Sequence, residues 1–168
     1  MPVAKIVILN WNGAGHLRRF LPSVVAAAPE GVEVVVADNG STDDSVAILA
    51  AEFPTVSVLR MDANYGFAGG YNRALEQIEA DYYLLLNSDI ETPPGWLGPI
   101  LDCLSENPDV AVVAPKLISY ADRTMFEYAG ASGGFIDFLG YPFCRGRILR
   151  CVEEDRGQYD DARDVFWV

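Results

Sequence analysis

The sequence predicts an α/β fold in which a mostly parallel sheet carries helices on both faces, giving three layers. Short apolar runs at residues 5–9, 32–37 and 82–86 are typical of strands buried on both faces of a sheet. Segments with apolar residues at helical spacing separate these runs. The runs end in Asn, Ser, Asp or Gly, the residues that favour turns. Alternating strands and helices predict parallel pairing.

Composition limits the class of protein. The chain has 168 residues, of which 51% are hydrophobic and 21% charged, as expected of one globular domain. A net charge of −12 disfavours nucleic acid or an anionic membrane as a main partner. No signal peptide or membrane-spanning run is present. Three cysteines without a CxxC pair support neither a disulfide framework nor a zinc site, so we predict a cytoplasmic protein.

The first strand, residues 5–9, leads into a polar turn and then a helix. Pro22 inside that helix should kink or split it. Gly13 and Gly15 nearly match the dinucleotide fingerprint, but Arg18 occupies its third small position. The side-chain amides of Asn10 and Asn12 could read a base or ribose edge, or could cap the helix.

The second strand, residues 32–37, ends at Asp38. A carboxylate at the tip of a strand can accept hydrogen bonds from a ribose hydroxyl or a pyrimidine imide. The alternative is that Asp38, Asn39 and Gly40 form an ordinary turn.

Glycines 66, 69 and 70 follow a third strand at residues 56–60 and precede a helical pattern. We expect backbone there to approach the sheet or a ligand closely. If Arg73 lies in the first turns of the helix, it and the free amides could hold a phosphate. Packing of the glycines against a neighbouring helix is the alternative.

The run at residues 82–86 reads as a central strand, and Asn87, Ser88 and Asp89 follow it directly. Because ligands of open α/β sheets bind outside the carboxyl ends of the strands, Asp89 is the leading candidate for chemistry. The alternative is that these three residues are turn formers.

The last third of the sequence is less regular. A helix with apolar residues at 96–104 is followed by a predicted fifth strand at residues 110–114. The basic run at 144–150 predicts a solvated loop, with contact to an anionic acceptor or a lipid head group as the alternative. Residues 165–168 resemble the start of a strand, so we expect the chain to be a fragment.

Four motifs in order resemble the inverting family 2 glycosyltransferases, in particular their rhamnosyltransferase-like branch. They are ILNWNG at 8–13, ADNGSTD at 37–43, NYGFAGGYN at 64–72 and LLLNSD at 84–89. The resemblance implies a GT-A fold, which is a Rossmann-like three-layer sheet. It also implies a donor-binding subdomain at 1–115 and a partial acceptor-side region at 116–168.

By this resemblance, the donor is a dTDP- or UDP-linked sugar and the acceptor is a glycan or a lipid-linked molecule. We expect a full-length protein to be cytoplasmic and peripheral to the inner face of the membrane. Asp89 corresponds to the last carboxylate of the DxD motif, which holds Mg²⁺ or Mn²⁺ on the donor diphosphate. Asn87 departs from the motif, because many members have Asp there. The general base of the family is expected beyond Val168, so we expect donor binding with little or no turnover. The nucleotide-sugar-binding residues that the resemblance and the motifs indicate are Asn10, Asn12, Asp38, Asn39, Gly69, Asn72, Arg73 and Ser88.

Two other hypotheses remain at this point. Gly13 and Gly15 with Asp38 beyond them would also suit a Rossmann oxidoreductase that uses NAD. A noncatalytic module could have kept the sheet and lost the chemistry.

Overall fold

A computed structural model of the chain describes residues 4–128 and 131–167. The chain divides into two compact units, Met1–Leu97 and Gly98–Val168. The predicted subdivision into donor and acceptor regions at residue 115 concerns function and stays a prediction.

The first unit alternates strands and helices, as predicted. Its elements are β1 (Ala4–Asn10), α1 (Ala14–Ala27), β2 (Glu33–Asp38), α2 (Ser45–Glu52), β3 (Ser57–Arg60), α3 (Gly66–Leu75) and β4 (Tyr82–Asn87). The four strands form a parallel sheet in the order β3-β2-β1-β4.

Successive side chains along each strand point to opposite faces of this sheet. Val7, Val35 and Ala37 form one core cluster with Tyr71, Ala74 and Ile78 from α3 and the turn after it. Side chains of intervening residues such as Ile6 and Val36 point to the other face and are fully buried. Right-handed crossovers place α1 and α2 together on that face, and α1 contacts α2. The predicted three layers are therefore confirmed.

The position predicted for β4 is wrong. Within the described residues β4 pairs with β1 alone, so it is an edge strand of the sheet. The side chains of Tyr83 and Leu85 are 39% and 53% exposed, and burial alternates along the strand. The continuous apolar run predicted burial on both faces, but the side chains on one face of β4 are exposed.

Two helix predictions also need correction. Helix α1 runs unbroken through Pro22, which lies on an exposed position, so the proline removes one backbone hydrogen bond without splitting the helix. Helix α3 begins at Gly66, so the glycines lie inside it and not ahead of it. Arg73 consequently falls in the last turn of α3.

The second unit contains a small antiparallel sheet that the sequence did not predict. Helix α4 (Leu97–Glu106) starts at the boundary, as expected from its apolar spacing. Four short strands follow in the order β5-β6-β7-β8, at Gly134–Ile136, Pro142–Cys144, Arg147–Ile148 and Cys151–Val152. The basic run at 144–150, predicted as a loop, consists of strand residues at 144 and 147–148 and of turn residues at 145–146 and 149–150.

The predicted fifth strand at residues 110–114 does not form. No described residue of this segment takes part in strand pairing, and the side chain of Val112 is 61% exposed. Apolar, β-branched composition favours a strand, but a strand also needs a neighbour for its backbone hydrogen bonds. At the far end, Trp167 makes one antiparallel bridge with Gly134, and Val168 lies outside the described residues.

The core of the second unit is small. Phe126, Ala131 and Cys144 form its buried cluster. Gly146 lies against the ring of Phe126, where an added Cβ would come within 2.6 Å of the ring. Within the described part of the chain, the helices are too short or too polar to cross a bilayer.

Candidate active site

The loops that follow β1, β2 and β4 meet at the carboxyl edge of the parallel sheet. The order β3-β2-β1-β4 makes the β1/β4 boundary the point where the chain reverses its direction of winding. Crevices at such points are the usual ligand sites of open α/β sheets. A Cβ built on Gly13 would lie 3.8 Å from Ser88 Oγ, so the loops after β1 and β4 approach each other here.

Asn10 and Asp38 end neighbouring strands and bind each other. Both side chains are buried, at 0% and 2% exposure. Asn10 Nδ2 donates to Asp38 Oδ1 at 3.0 Å and to Ser41 Oγ at 3.1 Å. The backbone N–H of Ser41 donates to Asp38 Oδ2 at 3.1 Å. Both carboxylate oxygens are thus engaged, and this pair forms the floor of the crevice.

Asn12 ties the loop after β1 to the loop after β2. Its Oδ1 accepts hydrogen bonds from the backbone N–H groups of Thr42, at 2.8 Å, and Asp43, at 3.3 Å. Its own N–H donates to Ser41 Oγ at 2.9 Å. Asn12 has a positive φ of 51°, which asparagine tolerates better than most residues. The alternative role as a cap of α1 is wrong, because its side chain faces the second loop.

Asp43, which the sequence analysis missed, takes the role at the start of α1. Its Oδ2 accepts from the N–H of Ala14 at 3.0 Å, and its Oδ1 accepts from the N–H of Ser45 at 3.0 Å. Partial burial raises the pKa of Asp43, but the hydrogen bonds from Ser45 and Ala14 outweigh it and lower the pKa overall. A carboxylate at a helix N-terminus is favoured by the helix dipole. The signal lay in the excess of turn-forming acids at 38–44.

Asn39 connects the end of β2 to the start of α3. Its Nδ2 donates to Asn64 Oδ1 and to the carbonyl of Gly66, both at 3.0 Å, and its Oδ1 accepts from the N–H of Tyr65 at 2.9 Å. The side chain is only 2% exposed. Asn39 therefore positions the loop ahead of α3.

The glycines of α3 differ in what they permit. A Cβ on Gly70 would lie 2.9 Å from both Asn39 Nδ2 and Leu9 Cδ1, so a side chain there would require Asn39 or Leu9 to shift. A Cβ on Gly69 would meet Tyr65 Cβ at an ordinary 3.5 Å. Gly70 is therefore closely packed, but against Leu9 of β1 and Asn39 and not, as the alternative predicted, against a helix. Gly69 is the glycine that leaves space.

Asn72 and Arg73 are exposed near the end of α3. The guanidinium of Arg73 lies 3.8 Å from the ring centroid of Tyr65, in a cation–π contact. Arg73 lines a shallow cavity of about 240 Å³ together with Arg60, Asp62 and Tyr65. Because Arg60 ends β3, this cavity lies on the β3 side of the sheet. The predicted place of Arg73 beside free helix amides is therefore wrong.

Tyr71 is a second residue that the sequence analysis missed. Its hydroxyl accepts from the N–H of Leu9 in β1 at 3.5 Å and donates to the carbonyl of Leu86 in β4 at 3.1 Å. Burial raises the pKa of Tyr71, so the phenol stays protonated. The hydroxyl bridges β1 and β4 just beneath the crevice.

Asp89 follows β4 with an exposed side chain that makes no hydrogen bond or ion pair within residues 4–128 and 131–167. Ser88 beside it is half-buried. No group of three or more His, Cys, Asp or Glu side chains in the described chain could hold a metal ion without other ligands. Mg²⁺, however, is commonly held by one or two carboxylates together with substrate phosphates and water. The exposed carboxylate of Asp89 fits such a shared site.

Solved structures identify the fold of the chain as GT-A. The structure of TarS from S. aureus matches with a TM-score of 0.55 and 21% identity over 69% of this chain and 39% of that one. A mannosyltransferase from Pyrobaculum calidifontis, solved with GDP-Man and Mn²⁺, matches with a TM-score of 0.54 and 19% identity over 72% and 37%.

The chain belongs to the family described as Glycosyl transferase family 2, whose profile matches residues 5–152. It is 30% identical to an N-acetylglucosaminyl-diphospho-decaprenol L-rhamnosyltransferase of Mycobacterium tuberculosis, over 99% of this chain and 59% of the relative. It is 37% identical to the succinoglycan biosynthesis protein ExoU of Rhizobium meliloti, over 86% and 43%. The chain thus spans about 59% or less of the length of these relatives.

These matches confirm the predicted family and its rhamnosyltransferase-like character. The alternative of an NAD-dependent oxidoreductase is wrong. Gly13 was part of the evidence for that alternative, and the structure explains why a glycine occupies this position. A Cβ there would lie 2.3 Å from Asn10 Oδ1, so the glycine makes room for the asparagine side chain and not for a pyrophosphate.

Proposed function

We propose that this chain is the donor-binding part of a glycosyltransferase that moves a sugar from a dTDP- or UDP-linked donor to a glycan or lipid-linked acceptor, with inversion. The observation that supports it best is the meeting of the β1, β2 and β4 loops around an exposed Asp89. The rhamnosyltransferase relative is named for the acceptor N-acetylglucosaminyl-diphospho-decaprenol, and TarS has been solved in complex with UDP-GlcNAc. A cytoplasmic location accords with three cysteines that are all unpaired.

The predicted site residues fall into two groups, those whose side chains hold the loops in place and those proposed to contact the donor. Asn10, Asn12, Asp38 and Asn39 hold the loops in place and present the crevice to the nucleoside. Gly69, Asn72, Arg73 and Ser88 are the proposed contacts to the donor. Ser88 lies at the β1/β4 boundary, whereas the guanidinium of Arg73 stacks on Tyr65 on the β3 side of the sheet, so a contact with the donor requires Arg73 to leave this stack.

Asp89 is the proposed ligand of Mg²⁺ or Mn²⁺. When bound, the ion supplies positive charge that stabilises a departing diphosphate. The chain itself positions the Asp89 carboxylate just beyond the carboxyl ends of β1 and β4, since β4 is in register with β1 up to Asn87. The single histidine, His16, is exposed on α1 and is not assigned as a base.

A panel of nucleotide sugars, screened by thermal unfolding with and without Mn²⁺, tests the proposal. A donor at 100 times its Kd should stabilise the chain by about 2.7 kcal/mol. We expect this gain from UDP- or dTDP-sugars, and we expect most of it to require the metal. Asp89→Asn should remove the metal-dependent part and leave the unfolding temperature of the unliganded chain unchanged.

Asp109→Asn provides the matched control, because Asp109 is also exposed and the change in charge is the same. If Asp89→Asn binds the donor with unchanged metal dependence, the ligand role is refuted. If no nucleotide sugar stabilises the wild type, the chain is better explained as a noncatalytic module. If a donor does stabilise the wild type, a crystal grown with that donor and Mn²⁺ would show whether it fills the crevice.

A further inference from the structure

Helix α3 carries an aromatic side chain past the end of the parallel sheet. Phe67, Tyr71 and Ala74 are spaced by four and three residues, so their side chains form one stripe along the helix. Tyr71 and Ala74 belong to the core cluster between α3 and the sheet and are 5% and 0% exposed. Phe67 is the first member of the same stripe, yet it is 67% exposed. Its side chain therefore lies on the side of α3 that faces the sheet, at a level where the strands have ended.

The contacts of Tyr71 define this level. Its hydroxyl reaches the N–H of Leu9 and the carbonyl of Leu86, and each of these residues is the last but one of its strand. Because α3 connects two strands of a parallel sheet, it runs antiparallel to them, and its first turn lies at their carboxyl ends. Phe67 precedes Tyr71 by about one turn, which is about 5.4 Å along the helix. It thus lies just beyond the carboxyl ends of β1 and β4.

The Phe67 ring is supported on one side and exposed on the other. Its centroid lies 5.1 Å from that of the Tyr71 ring, and the two ring planes meet at 74° in an edge-to-face contact. Tyr71 is itself held by its hydrogen bonds to β1 and β4. Gly66, the residue before Phe67, adds no side chain, and a Cβ built on it would meet nothing within 4 Å. An apolar ring is therefore presented to the crevice in a defined orientation.

The position of this ring along the crevice indicates which part of a donor it meets. Asn10 and Asp38, the floor proposed for the nucleoside, lie at the ends of β1 and β2. Phe67 and Asp89 instead both lie at the ends of β1 and β4. An uncharged ring gains nothing from charged phosphates beside Asp89. The sugar attached to those phosphates has a ring face made of C–H groups, and such a face is apolar enough to bury against an aromatic ring.

We infer that Phe67 binds the glycosyl group of the donor by stacking on the C–H face of its pyranose ring. The inference rests on the proposed function, because it takes the nucleoside and the diphosphate to lie where that proposal places them. It assigns to Phe67 the recognition of the sugar and not of the nucleotide. Phe67 should therefore affect the affinity for a nucleotide sugar without affecting the affinity for the nucleoside diphosphate.

Isothermal titration calorimetry of the purified chain with Mn²⁺ and without an acceptor tests the inference. The probes are UDP-GlcNAc and dTDP-L-rhamnose, each compared with its own nucleoside diphosphate. We expect Phe67→Ala to weaken the binding of the nucleotide sugar by about fivefold and to leave the affinity for UDP or dTDP within about twofold of the wild type. Phe67→Tyr keeps the ring and should bind both kinds of probe as the wild type does.

Leu85→Ala is the matched control for the loss of an exposed apolar side chain. Leu85 is 53% exposed and lies on the same face of the sheet as Val7, two residues before the end of β4. Its truncation should leave both affinities unchanged. If Phe67→Ala does not fold, Phe67→Leu replaces it, because leucine keeps apolar contact with Tyr71 but has no flat face for a sugar.

Three results would overturn the inference and leave nucleotide binding intact. The first is a Phe67 variant that lacks the ring and binds the nucleotide sugar as well as the wild type. The second is an equal loss of affinity for the nucleotide sugar and the nucleoside diphosphate, which would place the ring against the nucleoside. The third is a wild type that binds UDP or dTDP but neither nucleotide sugar. Binding of none of the four probes would overturn the proposed function and this inference with it, so the two failures are distinguishable.

Discussion

At the scale of single residues, the floor of the crevice requires that position 13 carry no side chain, because even a methyl group there would contact Asn10. Its φ of −105° suits any residue, so only space restricts the position. A Cβ would lie 2.3 Å from Asn10 Oδ1, and the Asn10 side chain is fully buried between Asp38 and Ser41. We predict that Gly13→Ala displaces Asn10 and lowers the free energy of unfolding by about 1–3 kcal/mol.

Gly15→Ala is the matched control for Gly13→Ala. Gly15 lies in the first turn of α1, and an added Cβ would meet nothing within 4 Å. Alanine there should stabilise the chain by about 0.5–1 kcal/mol, because glycine is a poorer helix former. Urea denaturation of both variants measures the difference, and equal stabilities would show that Asn10 moves without cost.

The hydrogen bonds of Asp43 make the stability of the loops after β1 and β2 depend on pH. Its folded-state pKa is lowered, since the hydrogen bonds from Ser45 and Ala14 outweigh the effect of burial. A lowered pKa means that the stabilisation is complete above the unfolded-state value of about 3.9 and is lost as the pH falls through the folded-state pKa. We predict that Asp43→Asn costs about 0.5–1 kcal/mol at pH 7, the usual range for an exposed helix cap.

The comparison of wild type and Asp43→Asn should be repeated from pH 7 down to pH 3. The difference in unfolding free energy should stay constant above about pH 5 and shrink below about pH 4. Asp44→Asn controls for net charge, because Asp44 precedes α2 without a capping hydrogen bond from its side chain. A difference that persists undiminished at pH 3 would contradict the capping role of the Asp43 carboxylate.

At the scale of elements, Tyr71 makes α3 a brace between two strands. Its hydroxyl links the N–H of Leu9 to the carbonyl of Leu86, and the side chain is only 5% exposed. Tyr71→Phe keeps the packing but leaves two partly buried backbone groups without this partner. We predict a loss of about 1–2 kcal/mol in unfolding free energy.

Tyr65→Phe is the control for the loss of a hydroxyl from α3 and its entry loop. The Tyr65 hydroxyl donates to Asp62 at the surface, at 2.8 Å, so its removal should leave stability unchanged. If Tyr71→Phe and Tyr65→Phe unfold at the same denaturant concentration, the bridge between β1 and β4 contributes nothing measurable.

The elements also show which parts of the fold local sequence can predict. Strands β1 and β2 were predicted to within a residue, because each is paired on both sides and buried on both faces. The run at 82–86 is also apolar, yet β4 is an edge strand, and an edge position depends on the absence of a neighbouring strand among the described residues and not on the residues of β4. Residues 110–114 failed as a strand for the same reason.

The candidate site divides in a similar way. The positions of Asn10, Asp38 and Asp89 at strand ends followed from the sequence pattern. The partners of these side chains did not follow, because the bonds of Asn10 to Ser41 and of Asp43 to Ala14 join residues about thirty positions apart. Arg73 was misplaced because glycine composition predicted the helix start several residues too late.

At the scale of the whole molecule, the two units should differ in local stability. Strand β1 lies between β2 and β4, and Ile6, Val7 and Ile8 are at most 1% exposed. The second unit has strands of two or three residues and a buried cluster of Phe126, Ala131 and Cys144. Regions with few buried apolar contacts open at lower free energy than the global transition.

Native-state hydrogen exchange should therefore resolve two levels of protection. We predict that the amides of β1 exchange about 100-fold more slowly than those of β5 to β8, which corresponds to about 2.7 kcal/mol. The N–H groups of Arg145 and Glu153 are suitable reporters, because each donates a backbone hydrogen bond in the small sheet. Equal protection in both units would show one cooperative transition. In that case the small core of the second unit would have to be stabilised by interactions beyond its own sheet.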